Sequence, residues 1–235
     1  MQVGYDNTIL KQASDYEQGV VLQAVTEEKV EVKGKLIYRV IKREFDIIAS
    51  ILGLIILAPL FLVVAYLIKK EDGGPVFFTQ ERTGLNNKPF KMYKFRTMCE
   101  NAAEMHKFLL EQNELDGPAF KMKDDPRITR IGKVLRRTSI DELPQLLNIL
   151  KGEMSVVGPR PLPVYETAQM TDFQNTRHLV KPGLTCYWQV MGRTEIPFDE
   201  WMELDQKYLE KSSVATDIGL IIMTFRALKA GDGAY

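Results

Sequence analysis

The sequence predicts an α/β chain, mainly helical: one cytosolic globular domain, with a short β-hairpin and amphipathic interfacial helices, anchored by an N-terminal re-entrant membrane helix broken at Pro59. Three observations carry that reading. Residues 45–68 form an apolar run whose one charge, Asp46, stands at its start. Residues 76–96 read as two strand-like stretches around a turn cluster. Leu143, Leu146, Leu147 and Leu150 fall at i, i+3, i+4 and i+7, one face of a helix. With 235 residues, 45% hydrophobic and 26% charged, the chain has ample material for a globular core.

Residues 1–34 read as an acidic appendage, with Asp6, Asp15, Glu17, Glu27, Glu28 and Glu31 against few bases. Residues 35–70 form the membrane segment. At about 1.5 Å per residue the apolar run is long enough to reach across a hydrocarbon core of roughly 30 Å. Bases flank both ends: Lys33, Lys35, Arg39, Lys42 and Arg43 before it, Lys69 and Lys70 after it. A spanning helix normally carries its bases on one side, so two basic flanks favour a segment that enters and leaves by the same face. Pro59 removes a backbone donor in mid-run and provides the break. A single-pass helix with a mild kink and a buried core helix are the alternatives.

The remainder, 71–235, reads as the cytosolic domain. VFFTQ and KPFKMYKFRTM pair as a hairpin across the turn Gly84–Asn87. Residues 82–96 hold five bases and no acid. A helix is expected over 102–115, then a loop through Gly117, Pro118 and Pro126. A second acid-free basic run follows: Arg127, Arg130, Lys133, Arg136 and Arg137. The helix after it is expected to start with Asp141 at or near the N-cap, Pro144 in the first turn, and Gly152 as C-terminal cap. A short helix is read at 164–175, a loop and short strand at 177–193, and a polar-faced helix at 198–211. The last helix carries Val214, Ile218, Ile221, Ile222 and Phe225 on one stripe, which packs on the core or lies in the membrane interface.

Thirty-one bases balance thirty-one acids, which argues against a nucleic-acid partner. Cys99 and Cys186 lack metal-ligand spacing, and His106 and His178 are too few for a histidine relay. Chemistry therefore falls to carboxylates, Lys and Arg. Asp141 and Glu142 are adjacent acids at a helix start directly after Arg136 and Arg137, a setting that favours ionised carboxylates and bound phosphate. An ionised Asp there is a candidate nucleophile at phosphorus and Glu142 a candidate ligand for a divalent cation. The plainer reading is a capping box, Ser139-x-x-Glu142, worth about 1 kcal/mol. Arg160 in VGPRP, Lys181 in KPGLT and Arg193 in MGR add bases on turns, which makes a phosphate-handling site the better account.

The segments KREFDIIASILGLIILAPLFLVVAYLIKKEDGGPVFFTQERTGLNNKPFKMYKFRTM, DDPRITRIGKVLRRTSIDELPQLLNILKGEMSVVGPRPLP and RHLVKPGLTCYWQVMGR resemble the bacterial sugar transferases, or monotopic phosphoglycosyl transferases, over residues 35–229. The resemblance implies transfer of a sugar 1-phosphate from a UDP-sugar to undecaprenyl phosphate, with release of UMP, at the cytoplasmic face of the bacterial inner membrane. It implies Asp141 as nucleophile and Glu142 as the residue holding magnesium (Mg2+). Arg136 and Arg160 match phosphate-contacting positions, and Lys94, Arg177, Arg193 and Asp205 other active-site positions. Family members often carry serine before the helix-breaking proline; Ala58 stands there, and its methyl group cannot bond a freed carbonyl. Longer members add N-terminal membrane helices for which this sequence shows no equivalent. GPAFKMKDDPR and the Cys-Tyr-Trp stretch lean toward a hexose donor, while a homo-oligomer is left open. Two rivals stand beside this reading: a ternary mechanism with Asp141 as general base, and a non-catalytic anchored module that binds anionic lipid or polysaccharide.

Overall fold

The first long element, helix α1 (Leu36–Asp72), organises the rest of the chain in a computed structural model that describes residues 36–109, 122, 124–192 and 196–230. The appendage, the end of the helix expected at 102–115 and the loop around Gly117 and Pro118 lie outside the described residues. Helix α1 contains Pro59 without ending there, so the two arms expected of a hairpin form one continuous helical element. One face, with Leu54, Leu57, Leu60, Phe61, Val64 and Ile68, packs on two core clusters of the domain. The other, with Leu52, Ile55, Ile56, Leu62, Val63 and Tyr66, is exposed and apolar.

The hairpin forms as read: β1 (Phe77–Thr83) pairs antiparallel with β2 (Pro89–Phe95), with Phe78 opposite Lys94. Its turn holds Asn86 at φ 54 and Asn87 at φ 59, left-handed positions that Asn tolerates. Along β2 the period of two puts Phe90, Met92 and Lys94 on one face. Phe90 and Met92 enter the core, and Lys94 follows them inward. Helix α2 (Ala102–Leu109) and helix α3 (Arg130–Arg137) follow, the latter capped by the Thr129 side chain, which accepts from Gly132 N at 2.9 Å.

The dyad segment differs from expectation at its start. Residues Ile140–Gln145 form a 3-10 turn, and helix α4 begins only at Leu146, running to Lys151. Ser139 sits at φ 56 and its side chain caps nothing, so the capping box does not form. A 3-10 turn advances about 120° per residue against about 100° in an α-helix, so six residues shift the buried face. Leu147 consequently points outward, 37% exposed, while Asn148 and Ile149 are fully buried. Gly152 closes α4 in the left-handed conformation as expected.

Strand β3 (Ser155–Val157) pairs parallel with β4 (Gly183–Thr185). Gly158 and Gly183 sit where the two backbones meet: a Cβ on Gly183 would lie 2.1 Å from Gly158 N, and one on Gly158 2.3 Å from Lys181 O. Between them lie α5 (Val164–Thr167), α6 (Asp172–Asn175) and a 3-10 turn at Thr176–Leu179, in place of the single helix read at 164–175. Helices α7 (Tyr187–Met191), α8 (Phe198–Lys211) and α9 (Val214–Ala230) complete the chain. On α9 only Ile221 of the stripe turns inward, packing against the buried cluster of Leu220, Val157 and Tyr208, whereas Val214, Ile218, Ile222 and Phe225 stay exposed.

Candidate active site

The hairpin, the 3-10 turn and the loop after β3 converge on the two acids. Three fastenings set their spacing. Asn148, fully buried, accepts from Tyr93 N at 3.0 Å and donates to Lys91 O and Glu153 Oε2, both at 2.7 Å, which ties the free edge of β2 to the dyad helix. Arg82 donates to Pro161 O at 3.1 Å, and Thr83 N to Leu162 O at 3.0 Å, which ties the hairpin to the GPRP loop. Gly158 N bonds Thr185 O and Gly183 N bonds Pro159 O, which ties that loop to β4.

Held this way, Lys94 Nζ lies 2.8 Å from Glu142 Oε1, and Arg160 Nη2 lies 2.7 Å from the same oxygen. Burial alone would raise the Glu142 carboxyl, but Arg160 and Lys94 outweigh it and hold it well below the usual range. Asp141, only 6% exposed, is treated differently. Its nearest cation is Lys94 at 3.8 Å, and no hydrogen bond to its carboxylate occurs among the described residues. Burial raises its pKa, Lys94 opposes the rise, and the neighbouring Glu142 adds to it. The sequence places Asp141 among guanidinium groups that keep it ionised; in the structure Arg160 pairs with Glu142, while Arg136 and Arg160 act on Asp141 only through space and burial outweighs them.

Arg136 stays close enough to act on both acids through space, but its Nε donates to Thr97 Oγ1 at 3.0 Å. Arg177 and Asp205 are brought together behind the site, 2.8 Å apart and both about 1% exposed. Arg177 Nη2 donates to Arg160 O at 2.7 Å, so this pair braces the GPRP loop from behind. Burial pushes Asp205 up to about 6, with Arg177 working against the rise. Ala58 and Pro59 lie in α1, and Arg193 lies outside the described residues. Lys181 is not drawn to the dyad; its charged neighbours are Arg43, Asp46 and Lys42.

Several contributors have no local signal in the sequence. Arg160 lies over the Trp188 ring at 5.7 Å, Trp188 stacks on Trp201 at 4.3 Å, and Arg177 covers Trp201 at 5.4 Å. This column holds both guanidinium planes by cation–π contact. Arg82 enters the same cluster, pushed down to about 10 by burial and by Arg160. Glu166, buried near it, is pushed up to about 7 by burial, against the pull of Arg82 and Tyr165. His178 is pushed down to about 3 by burial and Arg177, and burial pushes the Cys186 thiol up to about 12, so neither is charged near neutral pH.

Comparison with known proteins places this geometry in context. The chain is 44% identical over 201 residues to the galactosyl transferase CpsE of Streptococcus agalactiae, which covers 85% of this chain and 44% of that protein. It is 41% identical over 201 residues to the undecaprenyl-phosphate galactose phosphotransferase of Salmonella typhimurium, covering 84% and 42% respectively. It is also 41% identical over 199 residues to the exopolysaccharide production protein ExoY of Sinorhizobium fredii, covering 83% and 88%. The chain thus spans less than half the length of the first two relatives and most of the third. The family model described as bacterial sugar transferase matches residues 37–231, which include the long apolar helix α1, the dyad and the GPRP loop, and the chain belongs to that family.

Proposed function

We propose that this protein is a phosphoglycosyl transferase that moves a sugar 1-phosphate from a UDP-hexose to undecaprenyl phosphate and releases UMP. The relatives are named for galactose transfer, for undecaprenyl phosphate and for exopolysaccharide production, which supports a role in starting polysaccharide assembly. The observation that carries the reading is the unequal treatment of two adjacent acids. Glu142 is locked between Lys94 and Arg160, whereas Asp141 is buried beside them without a hydrogen bond. A carboxylate without hydrogen-bond donors keeps its lone pairs available for attack, and the cations next to it lower the repulsion between carboxylate and phosphate.

In the reaction proposed, an Asp141 oxygen attacks the sugar-side phosphorus of the UDP-sugar. The bond to the bridging oxygen breaks and UMP leaves with the electron pair. A phosphate oxygen of undecaprenyl phosphate then attacks the same phosphorus, Asp141 departs, and the polyprenyl diphosphate sugar forms. Lys94 and Arg160 offset charge on the phosphates throughout. The residues present fit Mg2+: Glu142 Oε1 takes both short contacts, while Oε2 carries only the 3.4 Å contact from Arg160, leaving it as an oxygen donor. Among the described residues no group of three acids, His or Cys forms a metal cage, so Glu142 would share the ion with phosphate oxygens, the usual arrangement for this cation. When bound, the ion offsets charge on the diphosphate.

For placement, we infer that α1 enters and leaves the bilayer by its cytoplasmic face. Near its start, Arg43 donates to Ile149 O and Leu150 O, and Asp46 accepts from Ser155 Oγ and Val156 N. At its end, Glu71 accepts from Arg130 N and Asp72 pairs with Arg96. Both sets of polar contacts belong to one globular body. Positions 43 and 72 lie about 44 Å apart along a straight helix, more than a hydrocarbon core of about 30 Å, and a charged body cannot follow a span across it. The exposed stripe of α9 suits the interface beside it.

The test is exchange of labelled UMP into UDP-galactose by the full-length protein with Mg2+ and no lipid acceptor. The wild type is expected to exchange, and Asp141→Asn to lose at least ~10³-fold. Exchange that appears only with undecaprenyl phosphate would instead support Asp141 as general base in a ternary complex. Undiminished exchange by Asp141→Asn would remove it from the nucleophile's role.

A further inference from the structure

A second concentration of positive charge lies away from the dyad, where α1 begins its apolar run. A cavity of about 220 Å³ opens there between α1, the 3-10 turn before β4 and the end of α8. Arg39, Lys42, Arg43 and Lys181 line it, with Asp46 as the acid among them. That acid accepts from Ser155 Oγ at 3.0 Å and Val156 N at 2.9 Å through Oδ1 alone, and it acts through space on Lys42 and Lys181. Lys42 is answered by Asp217 at 2.7 Å from the far side. Arg43 is spent on two carbonyl oxygens, which carry no net charge. Lys181 and Arg39 make no hydrogen bond and no ion pair among the described residues. Arg43 Nη2 and Lys181 Nζ nevertheless converge beside Gly152, 3.3 and 3.5 Å from the point a Cβ there would occupy.

Four cations thus face two acids, Asp46 and Asp217, and an excess of cations set side by side is costly until a bound anion offsets it. The surroundings specify which anion. The cavity is smaller than the ~300–1,000 Å³ of sites that enclose a drug-sized molecule, so it takes a headgroup and not a whole sugar nucleotide. Leu179 and Val180 form its apolar rim, and the same turns of α1 expose Val40, Ile41 and Phe45 to whatever lies beside it. A ligand with phosphate at one end and hydrocarbon at the other satisfies both halves.

We propose that this cavity is a lipid-phosphate site separate from the catalytic one, which takes the phosphate of a membrane lipid and fixes the height of α1 in the bilayer. It rests on the membrane placement of α1 proposed above. The shared chemistry is a phosphate ester carrying an apolar chain, and either a glycerophospholipid or the polyprenyl phosphate acceptor supplies it.

The experiment uses detergent-solubilised full-length protein titrated with dioctanoyl phosphatidylglycerol, with dioctanoylglycerol, which lacks the phosphate, and with undecaprenyl phosphate. Saturable binding of a phosphate-bearing lipid is expected, about fivefold weaker in Lys181→Ala and in the exposed Arg39→Ala, and unchanged in Lys133→Ala on helix α3. Phosphatidylglycerol binding that responds to these variants names the phospholipid as source; a response of undecaprenyl phosphate alone names the acceptor. Equal binding by wild type and both variants, equal binding of dioctanoylglycerol, or the same loss in Lys133→Ala would overturn the site. UMP exchange measured on the same samples is expected to stay within about twofold of wild type. Failure of exchange in the wild type itself would count against the transferase reading and leave the lipid titration readable.

Discussion

Two cationic regions of this molecule invite comparison. Around the dyad, Lys94 and Arg160 are matched by a carboxylate of their own, and the Arg160 guanidinium is further held over an aromatic ring. Around the start of α1, the cations outnumber the acids that answer them, and the one acid lining the cavity also accepts from Ser155 and Val156. Matched charge fixes geometry before any ligand arrives, which is what chemistry at a reacting phosphorus needs. Unmatched charge waits for a ligand to complete it.

The largest effect that would break this contrast is expected from Arg160→Ala. It strips the buried Glu142 of a short charge contact, so UMP exchange should fall by ~10²–10³-fold. Stability should fall by about 3–5 kcal/mol, read by denaturant unfolding, as when one partner of a buried pair is removed. Unchanged exchange would mean that the matched pair is structural only.

Next in size is a pH effect at Glu166. Its carboxyl sits at about 7 in the fold against an ordinary 4.5. The folded chain therefore binds that proton more tightly than the unfolded chain, and stability declines as pH rises from about 4.5 to about 7, by about 3 kcal/mol. Glu166→Gln should flatten this decline in unfolding midpoints compared at pH 5 and pH 8. Asp141, also raised, acts on rate: its ionised form is lost at a higher pH than for an ordinary aspartate, so exchange should fall early on acidification.

Asn148→Ala should cost about 1–3 kcal/mol, since it leaves Tyr93 N and Lys91 O, both part-buried, without their partner. It should also lower exchange by loosening Lys94 from the dyad. Lys181→Ala sharpens the comparison from the other side: removing a cation that makes no hydrogen bond and no ion pair among the described residues should change stability by no more than ~0.5 kcal/mol, again by denaturant unfolding.

Much of the architecture was legible because it depends on short-range pattern. Alternation and the Gly84–Asn87 turn suffice for the hairpin, and the same period of two carries Lys94 inward with Phe90 and Met92. Local spacing also gives the dyad and the GPRP loop. The misread phase of the dyad helix has a local cause as well, since the 3-10 turn ahead of Leu146 rotates every later side chain and sends Leu147 outward. The remainder is long-range. Asn148 matters only because the edge of β2 arrives beside it, and Glu166 only because Arg82 does. Arg177 and Asp205 meet across 28 positions with no spacing rule to announce them. Resemblance named that pair, and the fold gives them the part of a brace behind Arg160.

The aromatic column has a practical consequence. Trp188 and Trp201 are the two tryptophans of the chain, and they are stacked between the two arginines. All indole emission from the protein thus originates in the wall behind the GPRP loop. Anything that draws Arg160 off its ring would change the polarity that wall experiences, so the state of this contact is readable as a change of intensity or colour in unlabelled protein, an optical gauge built into the back of the GPRP loop.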